Sequence, residues 1–329
     1  MKIIPKTMIV GTGVGLPDKV LTNFDLAKTV DTTDEWIKTR TGIEERRTAV
    51  AGELTSDLCA KAALNALQDA HISPEEVDVI ILATISGDMA FPSTACFVQQ
   101  KIGASNAAAY DIQAACAGFL YALDLADSYI SMGKARTVLA IGGEILTRLT
   151  DYNDRATCVL FGDGAGAAVL RPSDGERGIY GTLIKSDGRL HNLLYCPGLG
   201  TANPPTHENI DLGFHYIKME GREVFKHAVT CMGNAAEEIL QRARWTNQDV
   251  DWLIPHQANQ RIIDATAKRI QLPAEKVFIN LNRFGNTSAA SIPIALHEAK
   301  SEGKLRTGQN FVLVAFGAGF TWGAAAIKF

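Results

Sequence analysis

The sequence predicts an α/β protein built from one unit used twice, with two mostly parallel sheets and their helices stacked as α/β/α/β/α. Three observations predict it. Short apolar runs alternate with helical patterns along most of the 329 residues, and such alternation buries parallel strands between covering helices. The pentapeptide Gly133-Lys134-Ala135-Arg136-Thr137, which precedes the run Val138-Leu139-Ala140-Ile141, recurs at an offset of 170 as Gly303-Lys304-Leu305-Arg306-Thr307 before Phe311-Val312-Leu313-Val314. Pro74-Glu75-Glu76-Val77-Asp78, before Val79-Ile80-Ile81-Leu82, recurs at an offset of 173 as Asn247-Gln248-Asp249-Val250-Asp251 before Trp252-Leu253-Ile254. Two matches at nearly one offset, each ahead of an apolar strand, indicate duplication. The predicted halves are residues 1–176 and 177–329.

The elements follow in order. Residues 54–70 place Leu54, Leu58, Ala62, Leu64 and Leu67 near helical spacing, and Thr55, Ser56 and Asp57 suit the start of a helix. Residues 78–84 are β-branched and too short for a buried helix, so they read as a strand. A strand over 108–112 leads into a helix over 117–132 that stops at Gly133, and a strand covers 137–141. The second half predicts helix 223–243, strand 251–254, helix 258–270, strand 277–280, helix 288–300 and strand 310–316. The stretch 187–215, rich in Gly and Pro, reads as a long excursion that covers something, because irregular segments of that length tend to be functional.

Composition excludes several classes. With 32 basic and 36 acidic residues the net charge is −4, which gives no sign of nucleic-acid binding. No run reaches the ~18 apolar residues of a membrane span, and Met1 to Lys6 lack the pattern of a secretory signal. The six cysteines are scattered without a CxxC pair, which argues against a disulfide framework or a zinc site and points to a reducing, cytoplasmic setting. No metal is expected.

Three segments have the form of reactive sites. In Gln113-Ala114-Ala115-Cys116-Ala117-Gly118 a strand ends, small residues turn, and a helix starts at the cysteine. The helix start is expected to favour thiolate and lower the Cys116 pKa. In Pro255-His256-Gln257-Ala258-Asn259 the imidazole lies between a strand and a helix N-terminus, which opposes its protonation; a neutral His256 donating from Nε2 is expected. In Gly285-Asn286-Thr287-Ser288, Asn286 lies at the same offset of 170 from Cys116. It is therefore expected at the equivalent place in the second half, facing Cys116 across the pseudo-twofold axis. Each also has a plain structural alternative: a buried packing cysteine, a satisfied loop histidine, a helix-capping asparagine. Gly11-Thr12-Gly13-Val14-Gly15 lacks the spacing and the following helix of a dinucleotide fingerprint, and is rejected as one. The glycines of 161–167 are read as permitting close backbone packing.

Together these motifs, with Asp34-Glu35-Trp36-Ile37, Phe161-Gly162-Asp163-Gly164-Ala165-Gly166 and Ala315-Phe316-Gly317-Ala318-Gly319-Phe320, resemble the β-ketoacyl-acyl-carrier-protein synthase III family of the thiolase superfamily, end to end. The set Cys–His–Asn separates this family from elongating synthases, which use Cys–His–His, and from thiolases, which carry a second cysteine. The resemblance implies a thiolase-like duplicated five-layer fold. It also implies the decarboxylative condensation of an acyl-CoA primer, acetyl-CoA first, with malonyl-acyl carrier protein, which initiates fatty-acid synthesis. Cys116 would carry the acyl group, while His256 and Asn286 would stabilise the enolate. Backbone N–H groups of Cys116 and Ala318 would form the oxyanion hole. Many relatives have glycine where this chain has Ala318, and a positive φ there would strain it. The resemblance further assigns coenzyme A contacts to Thr32, Trp36, Arg40 and Arg155, with Trp36 and Arg155 sandwiching the adenine. Phe91 would reach into the acyl pocket of a homodimer partner. Carrier-protein docking would fall to Lys226, Arg261, Lys268 and Arg269. Arg222 departs from the uncharged polar residue expected there. No cofactor is implied beyond the coenzyme A thioester substrate. The alternatives are an acyltransferase or secondary-metabolite synthase acting on another acyl substrate, and a non-catalytic CoA- or carrier-binding protein.

Overall fold

The computed structural model describes residues 3–329; Met1 and Lys2, part of the N-terminal segment read above, lie outside them. The first half runs β1 (Thr7–Gly15), α1 (Asp34–Thr41), α2 (Thr55–Ala70), β2 (Val79–Ala83), α3 (Thr94–Ile102), β3 (Ala108–Ile112), α4 (Gly118–Ser131), β4 (Val138–Ile145) and β5 (Asp163–Pro172). The second runs β6 (Gly178–Ser186), α5 (Gly221–Ala243), β7 (Trp252–Pro255), α6 (Gln260–Arg269), α7 (Ser291–Ser301), β8 (Asn310–Gly317) and β9 (Thr321–Lys328).

The first sheet has the order β1-β5-β4-β2-β3, with β4, β2 and β3 parallel and β5 and β1 antiparallel. The second has the order β6-β9-β8-β7, with β8 and β7 parallel and β9 and β6 antiparallel. Placed side by side the two orders coincide, one half being the other repeated. Strand period two sends alternate side chains to opposite faces. Ile80 and Leu82 meet α2 and α3 on the outside, whereas Ile81 and Val79 meet α4 in the middle. Phe119, Leu123, Ile292 and Leu296 of α4 and α7 fill the space between the sheets, and Met232, Ile239 and Ile262 of α5 and α6 cover the far side. The five layers are thus α2/α3, first sheet, α4/α7, second sheet, α5/α6.

Glycines set how closely these layers approach. A Cβ on Gly11, Gly13 or Gly15 would lie 2.4, 2.3 or 2.0 Å from a carbonyl oxygen of α2. The rejected nucleotide motif is therefore a stripe that seats β1 flush on a helix. Gly162 and Gly166 likewise abut Phe284 O and Ile294 N, at 2.3 and 2.7 Å from a would-be Cβ.

Two expectations change. The strand predicted at 277–280 is reduced to one bridge, Val277 to Leu253. It occupies the position that β3 holds in the first sheet. The buried Gln257 side chain ends it, since its Oε1 accepts the N–H groups of Asn280 (3.1 Å) and Leu281 (3.2 Å) and turns the chain into the short helix Leu281–Phe284. The excursion 187–215 is also not structureless. It holds a 3-10 turn (Gly188–Leu193), the helix His207–Asp211 and the strand Leu194–Tyr195, which pairs with Lys218–Met219.

The register of the repeat changes too. The 3-10 turns Ala115–Ala117 and Ser288–Ala290, which lead into α4 and α7, stand at the offset of 173 rather than 170, and Ala115 and Ser288 share positive φ values of 44° and 48°. The residue equivalent to Cys116 is therefore Ala289, not Asn286. The offset of 170 at Gly133 and Gly303 arises because α7 has 11 residues and α4 has 14. A longer loop before β8 restores the frame, and Val138 and Phe311 again lie 173 apart at matching registers.

Candidate active site

Cys116 lies in the 3-10 turn between β3 and α4, His256 directly follows β7, and Asn286 precedes the matching turn before α7. All three line one mainly apolar pocket, with Phe161, Phe225 and Phe316 among its walls. They are 9%, 4% and 8% exposed. Their convergence does not need strict equivalence, because the parallel strands of both sheets end at the same place. Gly317, at the end of β8, permits it: a Cβ there would lie 2.6 Å from the Cys116 nitrogen.

Each polar side chain is held from behind. The backbone N–H of His256 donates to Val314 O at 2.8 Å, and its Nδ1 lies 2.6 Å from Ser291 Oγ. Ser291 Oγ also accepts the N–H of Gln257 at 3.5 Å, so its own hydrogen is free to donate to Nδ1. With Ser291 as donor to Nδ1, the ring hydrogen lies on Nε2 and can face the pocket. Asn286 is fixed by backbone bonds to Leu160 O (2.8 Å) and from Gly162 N (3.0 Å). Its Oδ1 accepts the Ser288 N–H at 2.8 Å, which leaves the Nδ2 hydrogens as donors to the pocket.

The electrostatics revise one expectation and reassign another. Burial pushes the Cys116 thiol up to about 12, outweighing the Ser288 hydroxyl, the backbone N–H and the Asn286 amide that favour thiolate. The expected fall in its pKa is reversed, because a helix start offsets only part of the cost of placing a charge away from water. His256 is neutral, as expected, but for a different reason: burial holds it down to about 3. The trio is thus a thiol and two neutral donors.

Sequence reading missed three residues beside this trio. Ser291 and Ser288 stand at helix starts, where serine ordinarily reads as a cap. Glu144 is wholly buried at the end of β4. Its signal was available, for it is the one charged residue in the run Val138–Leu146.

Comparisons with known proteins identify the family. Residues 110–188 match the 3-oxoacyl-(acyl-carrier-protein) synthase III family, and residues 240–329 match its C-terminal family. A beta-ketoacyl-acyl-carrier-protein synthase III of Caldanaerobacter subterraneus subsp. tengcongensis is 52% identical over 320 residues, 97% of each chain. The chain belongs to this synthase III family. The crystal structure of the Aquifex aeolicus synthase III superposes with a TM-score of 0.92 at 50% identity, covering 98% of this chain and all of that one. A priming beta-ketosynthase from the R1128 polyketide pathway, 32% identical, gives the same TM-score over 100% of this chain and 98% of that one. The duplicated five layers are the thiolase-like fold of synthase III chains.

The other residues to which the resemblance assigned roles fall in several places. Ala318 follows β8 and lines a second pocket beside Cys116. It is not a positive-φ residue; Gly319 takes that conformation, at 136°, so alanine at 318 carries none of the anticipated strain. Trp36, on α1, carries two guanidinium groups over its ring, Arg40 Cζ and Arg155 Cζ each 4.9 Å from the centroid. An aromatic ring inserted between Trp36 and Arg155 would need about 7 Å, two contact distances. Arg155, which also donates to Asp31 O at 2.8 Å, must therefore swing away before the pair can sandwich an adenine. Thr32 keeps a buried, unpartnered hydroxyl nearby in the sequence. Phe91 is 83% exposed and lines neither pocket of its own chain at Cys116.

The basic residues each have a local partner. Lys226 pairs with Glu223 at 2.6 Å and Arg269 with Glu237 at 2.8 Å. Arg261 stacks 5.2 Å over Phe225, and Lys268 lines a shallow groove with Asp264 and Gln271. Arg222 is exposed in the first turn of α5.

Proposed function

We propose that this synthase III joins acetyl-CoA to malonyl-acyl carrier protein through an acetyl-Cys116 intermediate, giving a β-ketoacyl-carrier protein and carbon dioxide. The observation that carries this reading is the meeting of one thiol and two neutral, rear-anchored donors in an apolar pocket. Cys116 attacks the thioester carbonyl, and the N–H groups of Cys116 and Ala318 receive the developing oxyanion, a contribution of ~3 kcal/mol for each donor. Coenzyme A leaves and the malonyl thioester enters. Its carbonyl oxygen accepts from Nε2 of His256 and Nδ2 of Asn286. Loss of carbon dioxide places negative charge on that oxygen, where two neutral donors stabilise the transition state more than the ground state. The enolate carbon then attacks the acetyl-Cys116 carbonyl and displaces the thiolate.

Trp36, Arg40, Arg155 and Thr32 would receive the coenzyme, a role supported by the two guanidinium groups at 4.9 Å from the Trp36 ring. The exposed Phe91 and Met89 support a homodimer in which each Phe91 enters the partner's acyl pocket. Lys226, Arg261, Lys268 and Arg269 would receive the acidic carrier protein, with Lys226 and Arg269 exchanging their internal partners for it. Six free thiols suit a cytoplasmic setting. Among the described residues, no helix is long and apolar enough to cross a membrane. The coenzyme A thioester is the substrate, and the chemistry calls for no other cofactor.

Mass measurement after incubation with acetyl-CoA is expected to reveal one acetyl adduct, absent in Cys116→Ala. His256→Ala and Asn286→Ala are expected to keep that adduct and lose carbon dioxide release from malonyl-carrier protein. An adduct that persists in Cys116→Ala, or an equal loss of both half-reactions in the other two, would refute this division of labour.

A further inference from the structure

The two N–H groups assigned to the oxyanion hole come from different halves of the chain. That of Cys116 belongs to the 3-10 turn between β3 and α4, and that of Ala318 directly follows β8 of the second sheet. Preorganised donors stabilise a developing charge only when both are aimed at the atom that receives it. The two segments do pack together: a Cβ on Gly317 would lie 2.6 Å from the Cys116 nitrogen and 3.2 Å from Ala115 Cβ. Such contact sets how near the segments come. It does not stop one from sliding along the other, which takes a directional bond.

Thr321 supplies that bond. It opens β9 and is half-buried. Its Oγ1 lies 2.8 Å from Ala114 O and 3.0 Å from Ala318 O. Both oxygens are carbonyls, so the single hydroxyl hydrogen is shared between them. Ala114 is the residue from which the Cys116 turn starts, and its carbonyl also accepts the Ala117 N–H at 3.0 Å, closing that turn. Thr321 holds Ala318 from both sides: Gly317, before it, is the strand partner of Thr321, and the Ala318 carbonyl meets the Thr321 hydroxyl. Among the described residues, Thr321 to Ala114 is the one hydrogen bond that joins residues 113–118 to residues 316–322. The branched Cβ of threonine restricts χ1 and so keeps the hydroxyl in place. The loop does not depend on that hydroxyl to fold. Buried Phe320 exchanges N–H and carbonyl bonds with Asp187, each of 2.8 Å.

We propose that Thr321 is a positioning residue for acyl transfer: its hydroxyl spans Ala114 and Ala318 and keeps the Cys116 and Ala318 N–H groups aimed at one thioester oxygen. The proposal rests on the reading of Cys116 as nucleophile and of these two N–H groups as the oxyanion hole. Thr321 lines neither pocket at Cys116, so it acts through the backbone on either side of it and not on the substrate. A misplacement of about 1 Å can cost about a hundredfold in rate. One hydrogen bond that prevents sliding between the halves therefore has more leverage on the chemistry than on stability, where its net contribution is small.

The test compares two reactions of the same sulfur, each followed by mass measurement on the peptide that contains Cys116. Acetylation by acetyl-CoA passes through an oxyanion, whereas alkylation by iodoacetamide displaces iodide directly and develops none. Thr321→Val keeps the branched side chain and removes the hydroxyl. It is expected to lower the limiting rate of acetylation at saturating acetyl-CoA by about tenfold or more, with the half-saturating concentration little changed. Alkylation is expected to stay within about twofold of wild type, because it asks nothing of the two donors. Thr321→Ser is expected to recover most of the acetylation rate. Unchanged acetylation in Thr321→Val overturns the proposal. So does an equal fall in both reactions, the outcome of a merely structural role in which the sulfur itself has shifted. A Thr321→Ser variant as slow as Thr321→Val overturns it too, since the bond would then not be what matters. If thermal unfolding shows that Thr321→Val does not fold, the same comparison between Thr321→Ala and Thr321→Ser decides. Absence of any acetyl adduct in a wild type that still alkylates at Cys116 would overturn the nucleophile reading, and the proposal with it.

Discussion

At the scale of single residues, the site depends on serines whose role spacing alone does not reveal. Ser291 ties down Nδ1 of His256 at 2.6 Å, and without it the imidazole can rotate or carry its hydrogen on the wrong nitrogen. Ser291→Ala is expected to slow carbon dioxide release from malonyl-carrier protein about tenfold, the value of one lost hydrogen bond at ~1.4 kcal/mol. Acetylation of Cys116 should change little, and Ser291→Thr should recover part of the loss; parallel assays of the half-reactions check this. Cys116, His256 and Asn286 were legible because each ends a strand or opens a helix among small neighbours. Ser288 and Ser291 were not, because what matters is whom they face across elements far apart in sequence, whereas Glu144 stood out as the lone charge in an apolar run. The state of Cys116 was misread for a related reason. A helix start is visible in sequence, but the depth of burial that outweighs it is set by layers from the other half.

At the scale of elements, close approach is written in glycine. Gly13 seats β1 against the backbone of α2, where a Cβ would lie 2.3 Å from both Ala62 O and Ala66 N. Backbone atoms cannot rotate away as a side chain can. Gly13→Ala is therefore expected to cost about 1–3 kcal/mol through overpacking. Thermal unfolding should register a lower Tm, while activity per folded molecule stays close to wild type because the contact lies in the outer layer. Most strands and helices were legible because each apolar run has a buried face to satisfy. The segment 277–280 has the same composition, yet Gln257 captures the backbone N–H groups of Asn280 and Leu281 that a strand would have used. Such a long-range side-chain contact has no local signature.

At the scale of the whole molecule, two buried groups set opposing pH dependences. His256 is held down to about 3 from 6.5, so below pH 6.5 the unfolded chain binds a proton that the native one refuses, and stability falls with decreasing pH. Glu144 is raised to about 7 from 4.5, so between these values the native state holds the extra proton and stability falls with increasing pH. The two contributions oppose each other between pH 4.5 and 6.5. In Glu144→Gln the Glu144 contribution is removed, while that of His256 and of other shifted groups such as His297 remains. Relative to wild type, the variant's stability should then rise across that window by up to about 1.4 kcal/mol per pH unit; denaturant titrations at several pH values would measure the difference. The doubled architecture carries a last consequence. The helix α7 lacks three residues that α4 has, and the loop before β8 supplies three that the first half lacks, so the change in length is confined to the end of the helix remote from the reactive turn. Grafting the extra turn of α4 onto α7 while trimming three residues from that loop would leave every strand partner in place. Ancestral copies could thus diverge in length on one side while the chemistry on the other kept its alignment.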